Sequence, residues 1–303
     1  MRKVIFTLCA GLMLAACNAA PAPAAPTAES TTMAAPATAP ATVSPLAAEI
    51  EALKAGDAAR AMESLQKYLS TAPASAEAHL LLGQVYLRED RKADAEKEFA
   101  AGFSLDPAAR LPLETQNADE VFLSGNAHAN LNQLDEALAA YEETLKLNPN
   151  KAGAYTNIGV VYYQLGKLDE AIAQLKKALE VDPKDAETTY MLGAAYVQKQ
   201  DLVEAETAFT QALELNPDLA AAHIGLGNVY LLNKQFDQAA AALQKAIQLQ
   251  PESPEAWLAL GQAYAGQNNR VEAARALNQC LQYSTPGPLR SRCEQILQQM
   301  GTP

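Results

Sequence analysis

The order of apolar and polar residues after Ala152 predicts two helices joined by a short turn. Apolar or small residues fall at helical spacing in two groups, and each group covers one face of a helix. The first group is Tyr155, Ile158, Gly159 and Tyr162, and the second is Ala171, Leu175 and Ala178. Glycine inside a helix costs about 1 kcal/mol relative to alanine. We expect Gly159 and Ala171 to let the two backbones approach, with Tyr162 filling the space beside them.

The same pattern returns along most of the chain at a fixed period. Its glycines are 34 residues apart, except for a first step of 42 residues that contains an eight-residue insert. They are Gly83, Gly125, Gly159, Gly193, Gly227 and Gly261. A tyrosine or histidine follows each glycine by three positions, and an alanine follows by twelve. A fixed period of this length predicts a stacked-repeat architecture.

Turn and stop signals divide each repeat in the same way. One position after the first helix carries residues that tolerate a left-handed conformation, and the second helix is expected to end where a residue precedes proline. The left-handed positions are Gly56, Asn132, Gly166 and Asn268. The residues before proline are Asp106, Asn148, Asp182 and Asn216.

These features closely resemble the tetratricopeptide repeat. The clearest copy has Trp257, Leu260, Gly261, Tyr264, Ala273 and Leu277, with Cys280 in place of the family's alanine. The resemblance implies an all-α fold, a right-handed α-solenoid of stacked antiparallel helix pairs. Six units are assigned within residues 76–287, namely 76–109, 118–151, 152–185, 186–219, 220–253 and 254–287.

Three further segments complete the repeat region. A degenerate repeat at residues 45–75 has Glu49 where the glycine belongs. Residues 110–117 form the insert, which contains Pro112 and no continuing helical face, so we expect a loop. Residues 288–303 are predicted to be a capping helix and tail, because a solenoid must close its exposed apolar end with an atypical element.

The capping segment also carries the basis for a predicted disulfide. Its apolar face consists of Leu289, Cys293, Ile296, Leu297 and Met300. Cys280 lies on the inward face of the preceding helix, and the turn STPGP between the two helices would bring it close to Cys293. We therefore predict a Cys280–Cys293 bond, with two buried thiols as the alternative. Closing a loop of about fourteen residues contributes on the order of 3 kcal/mol.

Residues 1–16 have the features of a lipoprotein signal peptide. Arg2 and Lys3 provide a positive start, and the apolar run that follows is too short for a usual membrane-spanning helix. The sequence LAAC that ends at Cys17 resembles the bacterial lipobox, which implies diacylation of Cys17 and cleavage just before it. Two or more acyl chains make a firm membrane anchor.

Residues 17–44 comprise the cysteine and a segment of almost only Ala, Pro, Thr and Ser, in which Glu29 is the sole charge. A segment of this composition cannot bury a core, so it is expected to be a disordered tether between membrane and repeats. The expected location is outside the cytoplasm, on the periplasmic face of the outer membrane or otherwise on the cell surface. By resemblance to known sorting signals, Asn18 favours the outer membrane.

Charge and residue pattern exclude several classes of function. The net charge of −12 would become −14 on loss of Arg2 and Lys3 with the signal peptide, and an acidic domain disfavours nucleic acid.

The histidines occupy packing positions of the repeat, namely His79, His128 and His223. The sequence GLG at 225–227 lacks the third glycine and the strand of a phosphate-binding loop. We predict no catalytic residue, cofactor or metal.

The resemblance places the binding site on the first helices, whose second, fifth, ninth, twelfth and thirteenth positions line a concave groove. The predicted groove residues are Phe122, Asn126, Thr156, Val160, Tyr163, Tyr190, Val197, Ile224, Asn228, Leu231, Leu258 and Gln262. Aromatic and apolar side chains can anchor a peptide, and amides can bond its backbone. The alternative is that some of these residues pack against the neighbouring repeat. No lysine or arginine occupies the positions at which chaperone-binding members clamp a carboxylate.

The sequence therefore predicts a lipid-anchored scaffold or assembly factor that binds other proteins and is not an enzyme. One alternative is an assembly lipoprotein of an envelope machine, similar to the type IV pilus pilotins. Another is an accessory regulator of a cell-wall hydrolase or protease. The partner and the pathway stay open at this point.

Overall fold

The computed structural model describes residues 46–112 and 117–301, so the predicted signal peptide, Cys17 and the tether lie outside the described residues. Within these two ranges the chain contains fifteen helices and no strand. The prediction of an all-α repeat fold is confirmed.

Fourteen helices form seven consecutive pairs, and a fifteenth follows the last pair. The first helices of the pairs are α1 (Ala47–Lys54), α3 (Ala76–Arg88), α5 (Ala118–Asn130), α7 (Ala152–Gln164), α9 (Ala186–Lys199), α11 (Ala220–Leu232) and α13 (Pro254–Gly266). The second helices are α2 (Ala58–Thr71), α4 (Lys92–Leu105), α6 (Leu134–Leu147), α8 (Leu168–Val181), α10 (Leu202–Leu215), α12 (Phe236–Leu249) and α14 (Arg270–Tyr283). The last helix is α15 (Pro288–Gln299).

The packing divides the chain into two compact units, one ending at Ala154 and the other beginning at Tyr155. We call their described parts the N-terminal unit (residues 46–154) and the C-terminal unit (residues 155–301). The core of the N-terminal unit includes Leu53, Leu65, Leu80, Phe99 and Phe103, all buried. The core of the C-terminal unit includes Leu175, Phe209, Leu243, Leu258 and Leu277, also buried.

The repeated glycine allows close contact between the two helices of a pair, and a large side chain of the second helix lies directly against it. A Cβ atom on Gly159 would lie 2.8 Å from Cγ of Leu175, a distance that real contacts do not reach. Leu175 on the second helix is therefore the nearest side chain to Gly159, and Tyr162 is half-buried and packs against the same core. The reason is that Leu175 lies one helical turn beyond Ala171, whose carbonyl oxygen is itself only 3.2 Å from that Cβ position. The equivalent partners are Phe99 for Gly83, Tyr141 for Gly125, Phe209 for Gly193, Leu243 for Gly227 and Leu277 for Gly261.

The left-handed turn after the first helix is present in all seven pairs. The four residues predicted from the sequence have positive φ, namely Gly56, Asn132, Gly166 and Asn268. Three others share the conformation without the usual residue type: Asp90 (φ 56°), Gln200 (φ 68°) and Lys234 (φ 59°). The backbone N–H of the next residue bonds back to the first helix, as Gln235 N does to the carbonyl of Tyr230 at 2.8 Å. This bond imposes the turn even where the side chain disfavours it.

The ends of the second helices follow the predicted stop signals. The helices α4, α6, α8 and α10 end one residue before Asp106, Asn148, Asp182 and Asn216. Each of these side chains accepts a hydrogen bond from the backbone N–H two residues later, at 3.0 to 3.2 Å. The Asp or Asn thus stabilises the turn that the following proline begins.

The insert between the second and third pairs is only partly described. Its residues 110–112 and 117 are not helical, and residues 113–116 lie outside the described residues. Leu111 packs against the core of the N-terminal unit together with Ala109. The visible part of the insert is therefore attached to its own unit.

The C-terminal helix covers the last repeat. Its apolar residues Leu289, Ile296, Leu297 and Met300 pack around Leu258 and Leu277. Cys280 and Cys293, the pair predicted from the sequence, are joined by a disulfide with Cα atoms 6.6 Å apart. Arg290 donates to the carbonyl oxygen of Leu281 at 2.7 Å, so it also satisfies the end of α14.

Candidate functional site

The fourth position of the repeat, which is histidine in two units, has a structural role. Nε2 of His79 bonds to the carbonyl oxygen of Pro73, and Nε2 of His223 bonds to that of Pro217, both at 3.0 Å. The indole N–H of Trp257 makes the same bond at 2.8 Å to the carbonyl oxygen of Pro251. A ring N–H at the fourth position of the repeat therefore ties the first helix to the preceding turn.

His128 is buried between the second and third pairs of helices. Its ring stacks on Phe103 with centroids 3.7 Å apart. Gln133 donates its amide N–H to the carbonyl oxygen of Phe103, so its Oε1 accepts from Nδ1 of His128 at 2.7 Å. Burial lowers the pKa of His128, while Gln133 and then Glu136 act in the opposite direction. The ring is accordingly held neutral as a packing group.

The two glycines of the GLG sequence have packing partners on opposite sides. A Cβ on Gly225 would lie 2.6 Å from the ring of Phe209, and one on Gly227 would lie 2.6 Å from Leu243. Phe209 precedes α11 and Leu243 follows it, so both glycines admit a neighbouring helix.

The described residues contain no group of three or more His, Cys, Asp or Glu side chains arranged to hold a metal ion. In the same part of the chain, no helix has the length and apolarity needed to span a membrane.

The first helices of the C-terminal unit adjoin one another and form a continuous surface. Helix α11 contacts both α9 and α13. Helix α7 meets α9 through the buried hydroxyl groups of Thr156 and Thr188, 2.8 Å apart. We call the surface made by the second, fifth, ninth, twelfth and thirteenth positions of these helices the inner face.

The predicted groove residues divide into two groups by exposure. Six are buried: Thr156, Val160, Tyr163, Tyr190, Val197 and Leu258. Six are half-buried: Phe122, Asn126, Ile224, Asn228, Leu231 and Gln262. Tyr190 is 1% exposed, and its ring centroid lies 5.7 Å from that of Phe209. The alternative of packing within the repeats thus applies to Tyr190, whereas the half-buried residues are partly exposed to solvent.

Helix α11 is the most apolar part of the inner face. Ile224 and Leu231 are half-buried, and the adjacent Leu232 is 45% exposed. Leu232 occupies the thirteenth position, which our groove prediction omitted for this repeat. The sequence already marked this position as unusual. The thirteenth residue is leucine in this unit, but it is glutamine or glycine in the other units of the C-terminal unit.

Side-chain amides surround this apolar patch. Asn228 lies between Ile224 and Leu231 on α11, and Gln262 lies on the neighbouring α13. Neither amide makes a hydrogen bond to any described residue. Oε1 of Gln198 on α9 is buried, and it too has no hydrogen-bond partner among the described residues. Buried or partly buried amides of this kind can hydrogen-bond to the backbone of a bound peptide.

The same positions in the N-terminal unit are occupied by internal interactions. Gln84 is 2% exposed and donates to the carboxylate of Glu120. Asn126 accepts from the hydroxyl of Tyr141 at 3.0 Å. The ninth-position amides are therefore bonded within this unit, in contrast to Asn228 and Gln262.

Phe122 in the N-terminal unit is also covered by a charged pair. The ammonium of Lys151 lies 5.1 Å from the centre of its ring and 2.6 Å from a carboxylate oxygen of Asp119. The bond from Lys151 is the main cause of a lowered pKa of Asp119, with a smaller effect from Lys92. This pair occupies the place where a partner would meet Phe122.

Comparison with known families gives consistent matches along the chain. The model described as TPR repeat matches residues 125–166 and 159–200. Two models described as tetratricopeptide repeat match residues 190–254 in one case and 52–111 and 230–284 in the other. A comparison with curated protein sequences found no match.

Solved structures of repeat proteins are similar to this chain. The MamA protein shares 30% identity over 55% of this chain and 91% of its own, with a TM-score of 0.49. The Cut9–Hcn1 structure of the APC/C shares 21% identity over 85% of this chain and 49% of its own, with a TM-score of 0.58. PilF of Pseudomonas aeruginosa shares 18% identity over 74% of this chain and 97% of its own, with a TM-score of 0.56. The last two show likeness of fold.

Proposed function

The chain belongs to the tetratricopeptide repeat family, whose members bind other proteins or peptides, and we propose that it is a scaffold whose C-terminal unit binds a peptide segment of a partner. The observation that carries this proposal is the inner face around α11. It combines the exposed side chain of Leu232 with amides that have no hydrogen bond to any described residue. An apolar anchor beside free amides suits a peptide whose side chain is buried and whose backbone is hydrogen-bonded.

Repeat proteins of this family are generally non-catalytic, and the proposal assigns no reaction to this chain. Cys17 is the proposed lipid attachment site, and the segment up to residue 44 is the proposed tether. These features would hold the repeats outside the cytoplasm at a membrane surface. Their support is the sequence of the signal peptide and lipobox.

Two more specific roles agree with this proposal and differ in the partner. An assembly lipoprotein would bind a component of an envelope machine. An accessory protein would bind a cell-wall hydrolase or a protease. Identification of the bound protein separates these two roles.

Quantitative affinity capture from membranes tests the proposed site. The variant Leu232→Asp places a charge on the inner face and should reduce recovery of the specific partner by about tenfold. The matched control is Val203→Asp, because Val203 is 75% exposed on α10, a second helix. Equal recovery with both variants would reject the inner face of the C-terminal unit as the site.

The lipid anchor requires a separate experiment. Metabolic labelling with an acyl precursor should mark the unchanged chain and should not mark Cys17→Ser. The variant should also stay uncleaved or leave the membrane fraction. Labelling that persists in Cys17→Ser would reject lipidation at this cysteine.

A further inference from the structure

The C-terminal unit has a second concave surface, away from the inner face. It is a groove of about 670 Å³ between the second helices α12 and α14, and residues of α13 form its floor. None of the residues that line it occupies an inner-face position. Its volume lies within the range of about 300–1,000 Å³ that is usual for small-molecule sites.

The floor of this groove is aromatic and apolar. Trp257 and Tyr264 are half-buried there, and Leu260 lies between them along α13. The indole N–H of Trp257 already donates to the carbonyl oxygen of Pro251, so Trp257 offers a ligand its ring and not its N–H. The hydroxyl of Tyr264 accepts from the amide of Gln244 at 2.7 Å and keeps its own proton for donation.

The rim of the groove carries amides and one internally neutralised ion pair. The side chains of Gln248, Asn278 and Gln279 line it and make no hydrogen bond to any described residue. The charged groups among the described lining residues are Glu272 and Arg275, whose carboxylate and guanidinium lie 2.6 Å apart. Because each amide both donates and accepts, the rim offers hydrogen bonds of both kinds and no net charge.

The preceding joint of the solenoid, between α10 and α12, lacks this combination. Histidine, glutamate and lysine take the positions of the tryptophan and of two amides, namely His223 for Trp257, Glu214 for Gln248 and Lys245 for Gln279. The repeat itself therefore does not require the aromatic floor and the amide rim. Their combination between α12 and α14 is a feature of this joint.

We propose that this groove binds a neutral glycan, a β-linked chain of hexopyranose units. Such a sugar presents C–H faces that pack on aromatic rings, and its edge carries hydroxyl groups that both donate and accept hydrogen bonds. The ring of Trp257 receives a sugar face, and the rim amides and the hydroxyl of Tyr264 bond to the sugar hydroxyls. A proline-rich peptide, which also docks in aromatic grooves, is disfavoured because the N–H of Trp257 is already bonded to Pro251. The site goes beyond the scaffold function and is independent of the inner face.

The fluorescence of Trp257 tests this inference directly, because it is the only tryptophan of the chain. The full chain is titrated with two neutral glycans, cellopentaose and the pentasaccharide of N-acetylglucosamine, and separately with a proline decapeptide. At least one glycan should shift the emission saturably, with a dissociation constant of about 1 mM or below, and the decapeptide should not. Titration calorimetry measures the same affinities without relying on fluorescence.

Two double variants assign the binding to the groove. Gln248→Ala with Gln279→Ala should weaken glycan binding by about tenfold or more, because both amides bond to the sugar. The matched control is Glu214→Ala with Lys245→Ala, which removes exposed side chains from the same repeat positions of the preceding joint and should leave the affinity unchanged. Circular dichroism checks that each variant is folded.

The outcomes separate this inference from the proposed function. Absence of a saturable response to both glycans would overturn it, and so would equal affinities of the two double variants. Binding of the decapeptide in place of the glycans would make the groove a peptide site and reject the inference. Leu232→Asp should leave glycan affinity unchanged, because Leu232 lies on the inner face and does not line the groove. Capture of a protein partner can therefore fail or succeed independently of glycan binding.

Discussion

The two units of the molecule differ in how the polar groups at equivalent inner positions of the same repeat are hydrogen-bonded. In the N-terminal unit, the amides at the ninth position of the first helices are bonded within the unit, Gln84 to Glu120 and Asn126 to Tyr141. In the C-terminal unit the equivalent amides, Asn228 and Gln262, have no hydrogen bond to described residues. Leu232 is also exposed beside them. The first arrangement stabilises a unit, and the second leaves groups available to a ligand.

This contrast shows where specificity resides in a repeat protein. The glycine, alanine and large apolar positions recur because each pair must pack in the same way. The inner positions vary more, because packing constrains only some of them, such as Tyr190. A binding site is therefore identified by asking which variable positions keep unused hydrogen-bonding groups and exposed apolar surface.

Substitution of the recurring glycine should affect both units and has the largest expected effect. A Cβ on Gly125 would lie 2.6 Å from the ring of Tyr141, and one on Gly227 would lie 2.6 Å from Leu243. Gly125→Val and Gly227→Val should each lower the free energy of unfolding by about 3 kcal/mol, because the second helix must move. Urea denaturation followed by circular dichroism measures the loss. A matched control is Gly153→Ala, whose nearest contact at 3.3 Å is a ring edge of Phe122. A tolerated valine in either unit would contradict the shared packing.

Removal of an inner-position amide should separate the two units. Gln84→Ala takes away the partner of the Glu120 carboxylate and leaves a small cavity, so it should cost about 2 kcal/mol of stability. Gln262→Ala should change stability by less than about 0.5 kcal/mol, because the amide is half-buried and has no described partner. Denaturation of both variants gives the comparison. Equal losses would show that the amides of the C-terminal unit are structural.

Acid should weaken the N-terminal unit in a way that depends on His128. The folded pKa of His128 is lowered by burial, so its contribution to stability is present above the unfolded pKa of about 6.5 and is lost as pH falls through the folded pKa. The C-terminal unit has tyrosine at this position, for example Tyr162 and Tyr196. His128→Tyr should therefore reduce the loss of stability, measured as protection from hydrogen exchange, between neutral and mildly acidic pH.

Hydrogen exchange resolved by peptide measures this effect separately in each unit. His223→Tyr is the control, since His223 bonds only to a backbone carbonyl at the surface. Glu96 has a pKa raised mainly by burial, so its contribution is greatest in acid and declines as pH rises, opposite in sign to that of His128. Both the unchanged chain and His128→Tyr contain Glu96, so its effect cancels when their pH profiles are subtracted. Identical pH profiles for these two proteins would contradict the role of His128.

The smallest expected effect concerns the left-handed turns. Lys234→Gly and Gln200→Gly in the C-terminal unit should raise the free energy of unfolding by about 0.5–1 kcal/mol, because glycine adopts positive φ without steric cost. Asp90→Gly in the N-terminal unit should give a smaller gain, since aspartate tolerates this region. Thermal denaturation of the three variants tests this order. Destabilisation by Lys234→Gly would show that the lysine side chain supports the turn.

Much of the fold was predictable because the same residue types recur at the positions where the helices of each pair pack together. Helix ends, the turns at Asn132 and Gly166, and the stop before Asp182 follow from residue types with local effects. The turns at Gln200 and Lys234 were not predictable from residue type, because hydrogen bonds along the repeat impose them. The contact of Leu175 with Gly159 could not be predicted without knowing how the two helices are aligned along their axes.

The candidate site was predicted less completely. Ile224, Asn228 and Leu231 lie on the surface as expected, whereas Tyr190 is buried against Phe209. Register assigns a residue to the inner face, but burial depends on side chains contributed by the neighbouring helices. The bond between Gln84 and Glu120 joins residues from different repeats, and sequence spacing alone does not reveal such pairs.

Site-specific photo-crosslinking tests the central claim most directly. A photoreactive amino acid replaces Leu232 on the inner face or Val203 on the outer surface of the full chain, and membranes are irradiated before the adducts are identified by mass spectrometry. We predict a specific protein adduct at position 232, mapped to an apolar segment of the partner, and none of that adduct at position 203. The same adduct at position 203 and its absence at position 232 would contradict the claim that the inner face of the C-terminal unit is the binding site.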